Sequence, residues 1–289
     1  MTGSCPNIAC LPSKNIIHSA KVASFFYRSN EFGISKENVR INMAAVRERK
    51  RKMVTHVVDV FRDHYLTKSG AELVMGTGCF IGPKTIEVAL NDGGTRTFRG
   101  KIVAINTGSR ATIEPIPGLA EAKPLSHIEA LELDHIPKHL LVLGAGYVGL
   151  ELAQAFRRFG AEVTLIDRNG RLAHNEDEDA SQAVEELCRD EGITVVTNAK
   201  ISRVEGNSGD WIRLLGSRNG ADLSLKGTHL LVAAGRTPNT SGIGLEKAGV
   251  ETTDRGYVKV NERLQTTAEG VLGHWRLRWK PTVHAYLNR

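Results

Sequence analysis

The stretch HLLVLGAGYVGLELAQAFRRFG, residues 139–160, decides the fold expected for this chain. Residues 139–143 form a nearly unbroken apolar run, which is typical of a parallel β-strand covered on both faces. Three glycines follow, and apolar side chains then recur at helical spacing until Gly160, a residue type that commonly ends helices. A strand, a glycine-rich turn and a helix in this order predict the start of a βαβ unit.

The same alternation continues on the C-terminal side of this stretch. Apolar strands are predicted at 163–166, 194–196 and 230–234, with a helix over 177–191 between the first two. Strands that alternate with helices form parallel sheets with right-handed crossovers. The sequence therefore predicts an α/β class with a Rossmann-like NAD(P)-binding domain that covers residues 122–243.

The glycine turn fits the pattern G-x-G-x-x-G, which binds the pyrophosphate of a dinucleotide. Gly144 permits the tight turn, Gly146 lets the backbone approach the phosphates, and Gly149 lets helix and strand pack closely. Asp167 ends the next strand. A carboxylate at this position can accept a hydrogen bond from a ribose 2′-hydroxyl, and it would repel a 2′-phosphate. This favours NAD over NADP, although the adjacent Arg168 weakens the preference. The alternative is a structural glycine turn followed by an ordinary strand-end aspartate.

A second motif, GSCPNIACLPSK at residues 3–14, contains two cysteines in a C-x4-C pattern. A disulfide requires Cα atoms within about 7 Å, and a regular helix would direct Cys5 and Cys10 to different faces. The prolines of the motif predict a bend before the helix, with Cys10 near the helix N-terminus as the more reactive sulfur. Buried thiols, half of a zinc site or an accidental pair are the alternatives. Cys79 and Cys188 are expected to be buried or incidental thiols.

The remaining segments ahead of residue 122 predict helices and short strands. Helices are expected from Cys5 to about Phe26 and over 39–65, and strands over 72–75, 85–90 and 101–105. The tetrapeptide NDGG at 91–94 lies between two of these strands and is a strong hairpin turn signal. We therefore expect a β-hairpin ahead of the dinucleotide-binding domain.

The composition is that of a globular protein with more than one domain. The chain has 289 residues, 41% of them apolar, and a net charge of +6. The basic run RERKRK at 47–52 is interpreted as a solvated helix face rather than a nucleic-acid site. The sequence has no apolar run of about 18 residues, no secretory signal and too few cysteines for a disulfide scaffold. We therefore expect a cytoplasmic protein with no nucleic-acid or membrane partner.

Together these motifs resemble the class I pyridine nucleotide-disulfide oxidoreductases, and the mercuric reductase-like and dihydrolipoamide dehydrogenase-like members look most similar. The resemblance spans residues 2–271. Besides the cysteine motif and the glycine motif it includes three further segments, which are INTGSR at 105–110, AAGRTPN at 233–239 and VNERLQTT at 260–267. The combination of these motifs is specific to the family.

The resemblance implies a flavoprotein in which hydride passes from NAD(P)H through FAD to a Cys5–Cys10 disulfide, and then to a disulfide or metal-ion substrate. Cys10 would contact the flavin and Cys5 would attack the substrate. The cofactor-binding residues that it implies are Lys14, Thr107, Gly108 and Ser109 for FAD, and Gly144, Gly146, Gly149, Glu151, Asp167 and Gly235 for the dinucleotide. No structural metal site is expected, and members of the family form homodimers.

The chain also departs from the family pattern, and these departures set further expectations. The family's first FAD-binding strand and its C-terminal dimerisation domain have no counterpart in this sequence. Residues 1–121 and 244–271 are therefore expected to form an incomplete FAD-binding domain that binds FAD weakly or not at all. Residues 272–289 differ abruptly from the family pattern, as a one-base insertion in the gene would produce, and are expected to be an aberrant tail.

Two other functions are consistent with the same residues. The first is a catalytically inactive NAD-binding remnant, which would bind NADH but show no flavin absorbance. The second is a thiol–disulfide protein that uses Cys5 and Cys10 without flavin, which would show thiol exchange independent of any nucleotide.

Overall fold

The computed structural model describes residues 3–35 and 38–273. The α-helices are α1 (Ser4–Asn7), α2 (Cys10–Tyr27), α3 (Met43–Val60), α4 (Thr67–Ser69), α5 (His127–Ala130), α6 (Tyr147–Phe159) and α7 (Glu178–Asp190). Short 3-10 helices cover Ser29–Phe32 and Leu245–Ala248, and a π-helix covers Phe61–Leu66. The strands are β1 (Gly76–Gly82), β2 (Thr85–Leu90), β3 (Thr95–Arg99), β4 (Val103–Ile105), β5 (Ser109–Ala111), β6 (His139–Leu143), β7 (Glu162–Ile166), β8 (Thr194–Val196), β9 (Ala199–Asn207), β10 (Trp211–Arg218), β11 (Ala221–Gly227), β12 (His229–Val232), β13 (Arg236–Pro238) and β14 (Val271–Gly273). None of the described helices is both long enough and apolar enough to cross a membrane.

The chain forms two compact units. The first comprises Met1–Ser69 and Ala111–Gly235, and the second comprises Gly70–Arg110 and Arg236–Arg289. The N-terminal helices share a unit with the glycine turn, and the domain bounds expected from the sequence stay a prediction. The physical reason is that α2 packs against α6 and buries its apolar side chains in the same core.

The first unit is built around a parallel sheet with the strand order β12-β6-β7-β8. Helix α6 connects β6 to β7 and α7 connects β7 to β8, as the alternation of strands and helices predicted. Alternate residues of β6 enter two separate cores, Leu140 and Val142 on the side of α6, and Leu141 and Leu143 on the other side. Coverage of both faces explains why this strand is an almost unbroken apolar run.

The other face of the sheet is covered by an antiparallel meander, β9 to β11, that the sequence did not predict. Strand β10 is central and pairs with both of its neighbours. Val204, Ile212 and Leu214 of this meander belong to the core on that face. Strands β9 and β10 each have two buried residues and β11 has none, and such a pattern is a weaker sequence signal than the continuous apolar run of β6.

Two sequence-based boundaries are wrong. The helix expected over 39–65 begins at Met43, because Asn42 Oδ1 caps it by accepting a hydrogen bond from Ala45 N at 3.0 Å. The strand expected over 72–75 does not form, and β1 lies immediately after that segment. The glycines of β1 concealed it, since glycine is depleted in strands.

The second unit contains the antiparallel sheet β1-β2-β3 and the parallel pair of β4 and β14. The hairpin turn predicted at 91–94 is confirmed between β2 and β3. Phe80, Ile105 and Val271 contribute to a core of its own. Strand β14 includes the first two residues of the segment expected to be an aberrant tail, and residues 274–289 lie outside the described residues.

Candidate functional site

The glycine turn connects β6 to α6 at the carboxyl end of the parallel strand. Gly144 has a φ of 106°, and a Cβ there would lie 2.6 Å from Ala233 O, so this close approach requires glycine. A Cβ on Gly149 would overlap the carbonyl oxygen of Gly144, which reflects close packing of the helix on the turn. Gly146 precedes α6, and no atom lies within 4 Å of a Cβ placed there. The turn thus leaves open space at a helix N-terminus, where N–H groups lack intrahelical partners.

A cavity of about 580 Å³ lies beside this turn, entirely within the first unit. It opens at the carboxyl ends of the parallel strands, which is where ligands bind in open α/β sheets. Its lining includes Gly144, Gly146, Asp167 and Gly235, four of the residues predicted to bind the dinucleotide. The fold therefore brings together residues from three separate segments of the sequence.

Asp167 is buried at the end of β7, and both of its carboxylate oxygens have partners. Oδ2 accepts a hydrogen bond from Ala145 N at 2.7 Å, and Oδ1 accepts one from Asn169 N and one from Asn169 Nδ2, each at 2.8 Å. The bond from Ala145 N joins the glycine turn to the end of the neighbouring strand. Because a carboxylate offers about four acceptor positions, one position is left for a ribose hydroxyl. The sequence predicted the carboxylate but not its role in holding the turn.

The rim of the cavity contains an ion pair that the sequence did not reveal. Arg168 Nη1 lies 3.1 Å from Glu114 Oε1, and the side chains are 68% and 26% exposed. Lys200 lines the same cavity. Glu114 and Lys200 come from segments remote from the glycine motif, and neither lies in a motif of its own, so only the fold could identify them.

The cysteine motif forms two helical segments with a break between them. Helix α1 contains Cys5, the break falls at Ile8 and Ala9, and Cys10 is the first residue of α2. The predicted bend and the predicted position of Cys10 at a helix N-terminus are confirmed. Cys10 is exposed, Cys5 is half-buried, and both are thiols in the structure. A disulfide between them stays a prediction.

Lys14 connects the cysteine segment to the glycine turn. It lies four residues after Cys10, on the same face of α2. Its ammonium group forms an ion pair with Glu151 of α6, the helix that begins at the glycine turn. The two side chains are 61% and 43% exposed, so a ligand can reach both. Two residues that lie 137 positions apart, and that were expected at different cofactors, are therefore in direct contact.

Thr107, Gly108 and Ser109 lie in the second unit, beside the segment AAGRTPN. Gly108 O accepts a hydrogen bond from Asn239 N at 2.9 Å, and Thr107 O accepts one from Asn239 Nδ2 at 3.1 Å. Ser109 Oγ accepts one from Arg236 Nε at 2.8 Å. Residues 236–239 of that segment are thus adjacent to residues 107–109 within this unit. The role of these residues in binding FAD stays a prediction.

The other two cysteines lie away from the cysteine motif. Cys188 is buried on α7, as predicted, and burial together with the charges of Glu191 and Glu185 raises the pKa of its thiol to about 11. Cys79 is half-buried in β1 and its thiol contacts the carbonyl oxygen of Phe80 at 3.5 Å. Cys188 is therefore poorly suited to redox chemistry at neutral pH, because the thiolate is the reactive form.

We expect Cys188 to resist alkylation in the folded protein while Cys10 is modified. At pH 8, a thiol with a pKa of about 11 is ionised in about one molecule in a thousand. Treatment of the reduced protein with iodoacetamide followed by peptide mass spectrometry should therefore detect modification at position 10 and not at 188. Raising the pH ionises the Cys188 thiol and adding urea unfolds the chain around it, so either treatment should make position 188 reactive. Rapid modification of Cys188 at pH 8 without urea would contradict its burial.

Comparison with known proteins identifies relatives of the whole described chain. The family profile described as pyridine nucleotide-disulphide oxidoreductase matches residues 1–273. The chain is 38% identical to a mercuric reductase of Streptomyces lividans over 265 residues. The aligned region covers 91% of this chain and 56% of that protein. It is 33% identical to a dihydrolipoamide dehydrogenase of Chaetomium thermophilum over 270 residues. This alignment covers 91% of this chain and 53% of that protein.

Solved structures have a similar fold. The Cu(II) complex of the HOCl-induced flavoprotein disulfide reductase RclA from Escherichia coli matches with a TM-score of 0.82 and 26% identity, covering 95% of this chain and 57% of that chain. The chain thus spans about half the length of the curated relatives that it matches. The α/β class and the family resemblance predicted from the sequence are confirmed. The chain belongs to the pyridine nucleotide-disulphide oxidoreductase family.

Proposed function

We propose that this chain acts as an NADH-dependent flavoprotein reductase that delivers electrons to the pair Cys5 and Cys10. The observation that carries the proposal is the ion pair between Lys14 and Glu151. It joins the helix that begins with Cys10 to the helix that begins at the glycine turn, so the proposed electron donor and acceptor sites are neighbours within the first unit. The proposed substrate is a small disulfide or a metal ion, by analogy with the reductases that the chain resembles.

The cavity of the first unit fits a dinucleotide. Its volume of about 580 Å³ lies in the range of cofactor pockets. Gly146 leaves open space at the N-terminus of α6, where free N–H groups and the helix dipole favour a pyrophosphate. Gly144, Gly146 and Gly149 would hold that group, Asp167 would receive the ribose, and Gly235 would lie towards the nicotinamide.

The second cofactor in the proposal is FAD. Flavin, when bound, supplies a carrier that accepts hydride from a nicotinamide and gives two electrons to a disulfide. The residues of the second unit that would hold it are Thr107, Gly108 and Ser109. A close approach is feasible at Gly108, because this residue has a φ of 71° and no atom lies within 4 Å of a Cβ placed there.

The side chains near the cysteine motif have distinct roles in this proposal. Two electrons and two protons convert the Cys5–Cys10 disulfide into two thiols, and the pair then reduces a substrate disulfide by thiol–disulfide exchange, which re-forms the Cys5–Cys10 bond and releases two substrate thiols. Lys14 supplies positive charge one turn from Cys10, where negative charge develops on sulfur. Glu151 holds the Lys14 ammonium group in position.

NADH is the proposed coenzyme rather than NADPH. Asp167 and Glu114 place two carboxylates at the cavity, and both disfavour a 2′-phosphate. Glu114 also forms an ion pair with the guanidinium of Arg168, the group that would otherwise attract that phosphate. The preference is expected to be moderate, because Lys200 also lines the cavity.

Replacing Glu114 by glutamine (Glu114→Gln) should increase the affinity for NADPH about threefold and leave that for NADH unchanged, since an exposed ion pair contributes less than about 1 kcal/mol. The variant leaves Arg168 free to meet a 2′-phosphate. Fluorescence titration with both nucleotides measures the two dissociation constants. The double variant Glu114→Gln/Arg168→Gln is the control and should lose the gain. An equal change for both nucleotides would show that Glu114 does not act on the coenzyme preference.

An absorption spectrum of the purified chain with added FAD, before and after NADH, tests the proposed function. A flavin band that stays with the protein and is bleached by NADH supports a reductase. Binding of NADH without a flavin band would overturn it and support the second candidate, an NAD-binding protein without redox activity. That alternative is favoured by one observation, which is that the dinucleotide cavity is built entirely from the first unit.

Contacts of the basic helix α3 support the absence of a nucleic-acid partner. Arg47 pairs with Asp134, and both Lys50 and Arg51 pair with Glu132. Three basic side chains are thus engaged by carboxylates of the first unit rather than left as a basic patch. A cytoplasmic location is proposed because four cysteines in 289 residues are too few for a disulfide scaffold, and homodimer formation stays a prediction from the family resemblance.

A further inference from the structure

Two histidines meet at the end of the parallel sheet that is opposite to the glycine turn. His135 lies in the loop between α5 and β6, and His229 is the first residue of β12. Their Nε2 atoms are 3.3 Å apart and their ring centroids are 5.3 Å apart. The His135 side chain is 58% exposed, whereas His229 is buried. Both residues belong to the first unit, and neither takes part in the reductase proposed above.

The partner of His135 Nδ1 determines where the proton of this ring lies. Asp134 Oδ1 is 2.9 Å from His135 Nδ1. A carboxylate at neutral pH can only accept hydrogen bonds, so Nδ1 must be the donor and carries the proton. In the neutral ring, Nε2 is then left with an unshared lone pair.

The same argument applies to His229 through Thr228. Thr228 Oγ1 donates its single proton to His139 O at 3.0 Å and accepts a hydrogen bond from His139 N at 3.1 Å. His229 Nδ1 lies 3.0 Å from this hydroxyl oxygen. With the hydroxyl proton directed to His139 O, the hydrogen-bond network assigns the proton of His229 to Nδ1, and Nε2 of His229 also carries a lone pair.

Two unprotonated Nε2 atoms therefore lie 3.3 Å apart when both rings are neutral. Two acceptors repel, and a cation between them converts the repulsion into binding. We propose that His135 and His229 form a binding site for a divalent transition-metal cation such as Zn²⁺ or Cu²⁺.

The geometry of the pair matches this role. In a tetrahedral zinc site with Zn–N bonds of about 2.0–2.1 Å, two nitrogen ligands are about 3.3 Å apart, and the two Nε2 atoms have this separation. Neutral imidazole is a good ligand for both zinc and copper. The exposed side of His135 leaves the other coordination positions to water.

The surroundings of the two rings also suit metal ligands. Histidines that bind metals usually donate their other ring N–H to a carboxylate or another oxygen, which fixes the ring. Asp134 and Thr228 are such partners here, and Asp134 is itself held by Arg47 at 3.0 Å. Within residues 3–35 and 38–273 no group of three or more His, Cys, Asp or Glu side chains could hold a metal ion. The site therefore has two protein ligands and is completed by water.

A cation at this position would tie the loop ahead of β6 to the first residue of β12. The five residues of β6 separate this position from the glycine turn by about 16 Å, at about 3.3 Å per residue. The two histidines lie close together only in the folded chain, so a cation that binds both of them would stabilise the first unit. The site would thus act on stability and leave the reductase chemistry untouched.

Titration of the chain with Zn²⁺ against a chromophoric chelator tests the site. Cys5 and Cys10 would bind zinc themselves, so the titration is made in a Cys5→Ser/Cys10→Ser background. One zinc ion should bind per chain, and His135→Gln should weaken its binding by about tenfold or more. The matched control is His56→Gln, an exposed histidine of α3, which should bind zinc as the background does. Copper titration followed by electron paramagnetic resonance should show hyperfine structure from two nitrogen ligands.

The thermal unfolding midpoint gives a second measurement that is independent of nucleotide and flavin. Zinc should raise it in the background and in His56→Gln but not in His135→Gln. His135 is exposed, so its replacement should leave the fold intact, and circular dichroism verifies this. Unchanged zinc affinity in His135→Gln, or an equal loss in His56→Gln, would overturn the proposal.

Discussion

Replacing Gly149 by alanine is expected to destabilise the first unit by about 3 kcal/mol and to remove NADH binding, because overpacking of a tight contact costs about this much. The new Cβ would overlap the carbonyl oxygen of Gly144 and lie 3.4 Å from the Cβ of Ala233. The Gly144 carbonyl is backbone and cannot rotate away, so α6 would have to move off the sheet. Urea unfolding measured by circular dichroism gives the loss of stability, and NADH fluorescence gives the loss of binding.

Gly146→Ala is the matched control within the same turn. Gly146 has a φ of −77°, and no atom lies within 4 Å of a Cβ placed there. Stability should therefore change by less than about 0.5 kcal/mol. Affinity for NADH should still fall about tenfold, a loss of about 1.4 kcal/mol, because the methyl group occupies the space proposed for the pyrophosphate. Equal losses of stability in the two variants would contradict the separate roles of these glycines.

Replacing Cys10 by serine should reduce NADH-dependent disulfide reduction by about 1000-fold or more, as loss of a reactive nucleophile does in other enzymes. A hydroxyl cannot form the disulfide that accepts the electrons. Affinity for NADH should be unchanged, because Cys10 lies on α2 and not in the lining of the dinucleotide cavity. The assay uses protein loaded with FAD, NADH as donor and a small disulfide as acceptor.

Reduction of a dye provides the internal control for the cysteine variant. A dye that takes electrons directly from flavin does not need the cysteines, so Cys10→Ser should retain that activity. Cys79→Ser, in the second unit, should keep disulfide reduction within about twofold of the parent, as most substitutions away from a site do. Retained disulfide reduction in Cys10→Ser would show that Cys10 is not the electron acceptor.

The segments that could be predicted from sequence are those whose pattern is local. Residues 139–160 specify a strand, a turn and a helix through spacing alone, and the structure contains them with nearly the same bounds. The break ahead of Cys10 follows in the same way from a motif of a few residues. Local patterns suffice here because backbone conformation is set by neighbours within a few positions.

The segments that sequence analysis missed depend on tertiary context. The meander β9 to β11 is stabilised by one face that covers the parallel sheet, and this partial burial gives a weak periodic signal. Strand β1 contains several glycines, and its pairing with β2 determines its conformation despite a poor strand propensity. The placement of the N-terminal helices in the first unit results from the packing of α2 on α6.

The sequence by itself determined the α/β class, the family, the glycine turn and the position of Cys10 at a helix N-terminus. Only the tertiary structure decided which distant side chains meet, namely Lys14 with Glu151, Glu114 with Arg168, and His135 with His229. These pairs are separated by 137, 54 and 94 positions. The physical reason is that turns and helices arise from interactions between near neighbours, whereas a site is formed by side chains that come together only when helices and strands pack around a common core.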